Sequence, residues 1–198
     1  MSKGIAFFDF DGTITTKDTL LEFIKFSKGR QQFYFGFAKN IVALLGMKMK
    51  ILSNQVVKEK VLAHFFKGVP AADFEKQCAA FREQALPALV RRDAISEIKK
   101  LQQQGIVVVV VSASPENWIE AWTTEMGVDL IASRLEVQDG MITGKIIGKN
   151  CHGHEKVVRI KEKFSLSEYD MVYAYGDTSG DLPMLELATD KFFKPFRN

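Results

Sequence analysis

The sequence predicts an α/β fold, a doubly wound, Rossmann-like parallel sheet interrupted once near its start by a helical insertion. Three observations carry this. Residues 106–112, IVVVVVS, form an unbroken run of β-formers, and a strand apolar on both faces belongs in the middle of a covered parallel sheet. From residue 91 onward, helix-like and strand-like segments alternate. Between Asp18 and about residue 88 the apolar spacing is helical instead, at Leu20, Leu21, Phe23 and Ile24 and again at Val56, Val57, Val61, Leu62, Phe65 and Phe66.

Taken in order, GIAFF at residues 4–8 reads as a strand that ends in DFDGT, with Gly12 as breaker. The insertion is broken by Gly29, Gly36, Gly46, the Gly68-Val69-Pro70 run and Pro87, which divides it into about four helical elements. RRDAISEIKKLQQQG is an amphipathic helix closed by Gly105 and leads into the 106–112 strand. SPENWIEAWTTEMG opens with Ser114 as a cap and Pro115 at the first helical position. DLIASRLEV reads as one strand, and Asp139-Gly140 between two extended runs signals a hairpin. Residues 153–164 are a helix, DMVYAYGD is a buried strand, and SGDLPMLELA is a last helix before a short strand near Phe192. Residues 1–16 and 89–198 thus form the α/β core, with 17–88 as the inserted domain.

Composition excludes the unusual classes. With 46% hydrophobic and 26% charged residues the chain is neither disordered nor fibrous. Cys78 and Cys151 stand far apart with no CxxC pairing, so no disulfide framework is expected and a reducing compartment fits. The N-terminal apolar stretch meets Asp9 too soon for a signal peptide, and no run reaches about 18 uncharged apolar residues. A cytoplasmic location is expected. Charge is unevenly spread: residues 17–88 carry 12 Lys and Arg against 6 Asp and Glu, while the remainder is acidic. No nucleic-acid partner is expected, and the sequence leaves oligomeric state open.

In a doubly wound sheet the ligand lies beyond the carboxyl ends of the strands. Three strands end in polar residues there: Asp9-Phe10-Asp11, Ser112-Ala113-Ser114, and Gly176-Asp177 with Asp181 close behind. An isolated DxDG is equally well a turn, but Asp9, Asp11 and Asp177 arriving together form an oxygen-rich cluster that suits a hard cation, most simply Mg²⁺. Ser112 precedes an expected helix N-terminus, where a phosphate could rest; Ser114 equally reads as a plain N-cap. Lys156 lies early in a helix, where a cation opposes the dipole, so its position calls for an explanation such as pairing with a phosphate or carboxylate, although a lone lysine there is more often simply solvated. Cys151, His152 and His154 do not match zinc spacing, and His64 reads as a packing histidine.

These segments together resemble the haloacid-dehalogenase-like hydrolases. DFDGT at residues 9–13, Ser112 after the apolar strand, Lys156, and GDTSGD at 176–181 match that family's four motifs in order across nearly the whole chain. The resemblance implies a phosphatase working through an aspartyl-phosphate, with Asp9 as nucleophile and Asp11 as general acid and base. It implies Mg²⁺ held by Asp9, the backbone carbonyl of Asp11 and Asp177, phosphoryl oxygens held by Ser112, Ala113 and Lys156, and Asp181 in support. The insertion is similar to the helical cap domain of phosphoserine-phosphatase-like members. Asp18 falls where those enzymes place a glutamate facing the substrate ammonium, and it reads equally as a helix N-cap before TLLEF.

Ala113-Ser114 and Gly180 depart from the phosphoserine phosphatase pattern, which puts amino-acid specificity in doubt. SASPENW, DLIAS, CHGHEKV and YGDTSGDLPML look closer to a sibling group that includes a phosphatidylglycerophosphate phosphatase. A small phosphorylated metabolite is the substrate expected first, with a lipid phosphate or phosphoserine as alternatives and a silent phosphate-binding module as the non-enzymatic one. FYFGFAKNIVALLGMKMKIL, with Lys39, Lys48 and Lys50, reads either as a bundle core with a solvated face or as a peripheral contact with an anionic membrane.

Overall fold

The computed structural model describes residues 3–49 and 51–197. A five-stranded parallel sheet forms its centre: β1 (Gly4–Phe8), β2 (Val107–Pro115), β3 (Asp129–Ser133), β6 (Met171–Gly176) and β7 (Asp190–Phe193), in the order β3-β2-β1-β6-β7. The order reverses between β1 and β6, and a crevice opens at such a switch point beyond the strand ends. Asp9 follows β1 and Asp177 follows β6, so the topology alone puts the two carboxylates side by side.

Strand alternation sorts the core into two layers. Ile5, Phe7, Val109, Val111 and Ala174 face α7 (His154–Lys163) and α8 (Leu182–Leu185) through Ile160, Met184 and Leu185. Ala6, Phe8, Val108, Val110 and Tyr175 face the other way, toward α5 (Arg92–Gln103), whose Ala94, Ile98 and Leu101 are buried. Burial on both faces is what the unbroken β-branched run required.

Between β1 and α5 lie α1 (Thr19–Lys39), α2 (Ile41–Lys48), α3 (Asn54–Phe66) and α4 (Ala71–Gln84). Phe23 of α1 anchors this insertion, stacking on Phe66 at 5.4 Å and on Trp118 at 4.7 Å, and meeting Phe74 and Phe81 edge-on. Its apolar residues belong to the same cluster as Phe8 and Val110, so insertion and sheet share one core. The chain enters and leaves the insertion along two paired segments: Thr16 N–H donates to Leu89 O at 2.8 Å, and Arg91 N–H to Ile14 O at 2.8 Å.

Two expectations are corrected. β2 continues through Ser114 to Pro115, and α6 (Glu120–Met126) begins only after a short turn at Glu116–Trp118, so Ser114 caps no helix and Pro115 is not a first helical residue. The Ser114 backbone N–H and hydroxyl are occupied by Ser112 and Asp11 instead, which holds the strand extended. The 129–137 strand is also two: β3 ends at Ser133, whose hydroxyl donates to Asn150 and accepts from the Cys151 N–H, and β4 (Leu135–Gln138) leaves the main sheet to pair with β5 (Met141–Ile146). The hairpin itself forms as expected, with Asp139 (φ 51°) and Gly140 (φ 74°) at its turn. It docks on the insertion through Gly68 N–H to Ile142 O and Ile142 N–H to Val69 O.

Candidate active site

Asp9, at the carboxyl end of β1, is buried and accepts a 2.6 Å bond from Lys156 Nζ. Lys156 is the third residue of α7; it is only 1% exposed and donates a second bond, 2.7 Å, to Asp181 Oδ1. The lysine that ran against the helix dipole is therefore paired twice with carboxylates. Burial works against its charge, but Asp9 and Asp181 overcome that and raise its pKa. The other Asp181 oxygen accepts from the Asp177 and Thr178 N–H groups and the Thr178 hydroxyl, at 2.9–3.2 Å, which fixes the loop after β6.

Asp177 accepts from the Thr13 hydroxyl at 3.4 Å and pairs with Arg197. Gly12 (φ 84°) lets the turn after β1 pass against this carboxylate, since a Cβ there would strike the Asp177 side chain. Asp9, Asp177 and Asp181 each offer an oxygen within 4.8 Å of the others. Burial pushes the Asp9 carboxyl up to about 8, against the pull of Lys156 and with Asp181 and Asp11 adding to the rise. Asp177 is raised for the same first reason, with Asp181 beside it and Arg197 opposing. Lys156 and Arg197 offset part of the charge of this carboxylate set, and its all-oxygen donors fit a hard divalent cation such as Mg²⁺.

Asp11 belongs to a second network. Its Oδ1 accepts from the backbone N–H and the hydroxyl of Thr19, both at 2.6 Å; its Oδ2 accepts from Ser114 Oγ at 2.6 Å and Ser112 Oγ at 3.3 Å. Trp118 Nε1–H donates to the Thr19 hydroxyl at 3.0 Å and fixes it. Ser112 is buried at this strand end, but with β2 continuing past it no helix N-terminus stands behind it, which corrects the anion-site argument built on one. Ala113 lines the pocket and presents its carbonyl to Lys58 Nζ at 2.6 Å.

The two networks form the floor of a cavity of about 590 Å³. Its upper wall is apolar, formed by Leu20, Leu21 and Phe37 of α1 and Val57 and Val61 of α3. Asp18 also lines the cavity and is the N-cap of α1, accepting from the Leu21 N–H at 3.0 Å, so the capping reading holds. Desolvation by the surrounding wall and the nearby Asp11 push its carboxyl up to about 6. His152 lines the cavity without joining a metal group: among the described residues only Asp9, Asp177 and Asp181 form one, so Cys151, His152 and His154 do not. His64 is exposed against Phe65, a correction to its packing role.

Sequence reasoning missed Thr19, Lys58 and Arg197. Lys58 reaches the floor from α3, where burial lowers its pKa against the pull of Asp11 and Asp18. Its spacing in the sequence matches that of solvated helix lysines, and Arg197 lies far along the chain, so neither carried a signal. Thr19 carried one, as the first residue of a helix that follows the motif aspartates.

Residues 6–186 match the family described as haloacid dehalogenase-like hydrolase, and the chain belongs to that family. Within it the chain is a phosphatase-type enzyme. It is 36% identical to Protein CicA of Caulobacter vibrioides over 192 residues, covering 96% of this chain and 85% of that protein. It is 28% identical to a phosphoserine phosphatase of Streptococcus thermophilus over 145 residues, 72% of this chain and 63% of that one. A solved substrate-bound phosphoserine phosphatase superposes with a TM-score of 0.67 at 24% identity, over 98% of this chain and 86% of the other, a likeness of fold.

Proposed function

We propose that the protein is a Mg²⁺-dependent phosphomonoester phosphatase that works through an aspartyl-phosphate on Asp9, with a small phosphorylated metabolite as substrate. The observation that supports this most directly is the separation of Asp9 and Asp11, two positions apart at one strand end, into two networks of different chemistry. Asp9 sits among a lysine and carboxylates; Asp11 sits among hydroxyls.

In this reading Asp9 attacks phosphorus, its oxygen forming a bond as the bond to the leaving oxygen breaks, and Asp11 gives that oxygen its proton. Asp11 then takes a proton from water, whose oxygen attacks phosphorus and releases Asp9. Hydroxyls both donate and accept, so Thr19, Ser112 and Ser114 serve Asp11 in either protonation state. Lys156 pulls Asp9 toward its anionic form against the effect of burial and, with Ser112 and the backbone at Ala113, holds phosphoryl oxygens; Asp181 positions Lys156. Asp9 and Asp177, with the Asp11 backbone carbonyl, would hold Mg²⁺, which supplies charge neutralisation between the nucleophile and the phosphate.

Residues 1–16 and 89–198 supply the chemistry in this reading, and 17–88 act as a cap that forms the upper wall. That wall favours a second substrate reading, a lipid phosphate, because Leu20, Leu21, Phe37, Val57 and Val61 offer apolar surface to a leaving group. Asp18 is the feature that supports phosphoserine, through its ammonium. Two buried, unpaired thiols support a cytoplasmic setting.

The test is phosphate release from phosphoserine, sugar phosphates, nucleotides and phosphatidylglycerophosphate, with and without Mg²⁺. Turnover should require Mg²⁺ and vanish in Asp9→Asn, and it should fall by about 10²-fold or more in Asp11→Asn, with folding unchanged. Undiminished turnover in Asp9→Asn would overturn the mechanism.

A further inference from the structure

Helix α2 is apolar on its solvent side. Ile41, Val42 and Leu45 are exposed, Val42 to 78%. Tyr34 and Phe35 near the end of α1 and Met49 and Ile51 beyond α2 are more than 60% exposed as well. Isolated exposed apolar side chains are ordinary; seven of them within 18 consecutive residues mark a contact surface.

Charge indicates what the surface meets. No Asp or Glu occurs between Glu22 and Glu59, whereas Lys28, Arg30, Lys39, Lys48 and Lys50 do; Lys58 turns to the active-site floor and Lys25 pairs with Glu22. Lys50 lies outside the described residues, and the side chain of Lys48 is likewise not described. Lys39 Nζ stands 4.5 Å from the centre of the Phe35 ring, a cation at the border of the apolar face whose stem can lie along it while the ammonium reaches outward. A second copy of this face would bring like charges together. An apolar face with aromatic rings and Lys39 at its border, in a stretch that carries cations and no acid, matches the interface of an anionic bilayer.

We propose that the end of α1, helix α2 and the segment after it dock on an anionic membrane surface without crossing it. Among the described residues no helix is long and apolar enough to span a bilayer. The inference goes beyond the phosphatase reading and stands without it. Phe37 of α1 also lines the active-site cavity, so docking would bring the pocket close to the lipid surface.

Co-sedimentation tests it, with phosphatidylcholine vesicles carrying phosphatidylglycerol compared with phosphatidylcholine alone, at low and high salt. The protein should pellet with the anionic vesicles and dissociate as salt screens the lysines. Lys39→Gln should weaken partitioning about fivefold, the effect of one cation near an anionic surface. Val42→Asp combined with Leu45→Asp should abolish it while circular dichroism and Tm stay unchanged. Equal binding to both vesicle types, or none to either, overturns the proposal. So does a dimer in sedimentation equilibrium that the double variant dissociates, since the face would then join two copies. None of these readouts uses turnover, so they fail or succeed separately from the phosphatase reading.

Discussion

Arg197 and Lys156 illustrate two ways a cation can serve a carboxylate. Lys156 is enclosed, and both of its partners are buried, so replacing it would leave two charges uncompensated at a cost of about 3–5 kcal/mol. Arg197 is 40% exposed and takes one oxygen of Asp177, a residue we assign to the metal. A guanidinium and a divalent cation compete for that oxygen. Arg197→Ala should therefore tighten Mg²⁺ or Mn²⁺ binding several-fold by calorimetry; weaker binding would mean that the arginine orders Asp177 instead. The contrast bears on what was legible in the sequence. Asp9, Asp11, Ser112, Lys156 and Asp177 could be found because motif spacing and strand ends announce them. Lys58 and Arg197 could not, because tertiary contact alone brings them to the pocket.

At the scale of elements, the hairpin β4–β5 shows why one boundary was misread. DLIASRLEV has the continuous apolar pattern of a single strand, and pattern alone cannot show that the Ser133 hydroxyl is tied to Asn150 while Leu135 pairs with Ile146. The hairpin's seat on α3 depends on Gly144 (φ 84°), where a Cβ would collide with the backbone of Ala63. Gly144→Ala combines a left-handed backbone with that overlap, at a cost of about 2–4 kcal/mol. Its Tm should fall by about 5–10 °C in a thermal melt; a Tm within a degree of wild type would show that the hairpin can shift without loss.

Over the whole molecule, sequence reasoning divided the chain by composition, basic insertion from acidic core, whereas packing joins them. Phe23 and Trp118 stack across that division, and the cluster runs unbroken from Val110 to Phe81. Insertion and sheet should consequently unfold in one calorimetric transition; two resolved transitions would show the insertion to be an independent unit. The same continuity bears on proton transfer. The first residue of α1, Thr19, supplies two of the donors that orient Asp11, so the helix that opens the insertion also steadies the carboxylate to which we assign the proton transfers. The segments entering and leaving the insertion are hydrogen-bonded to each other, which ties the chain leading into α1 to the chain returning to the sheet. Any motion that lifts the first turn of α1 withdraws Thr19 from Asp11, leaving an open pocket with a misaligned acid and making proton delivery contingent on closure.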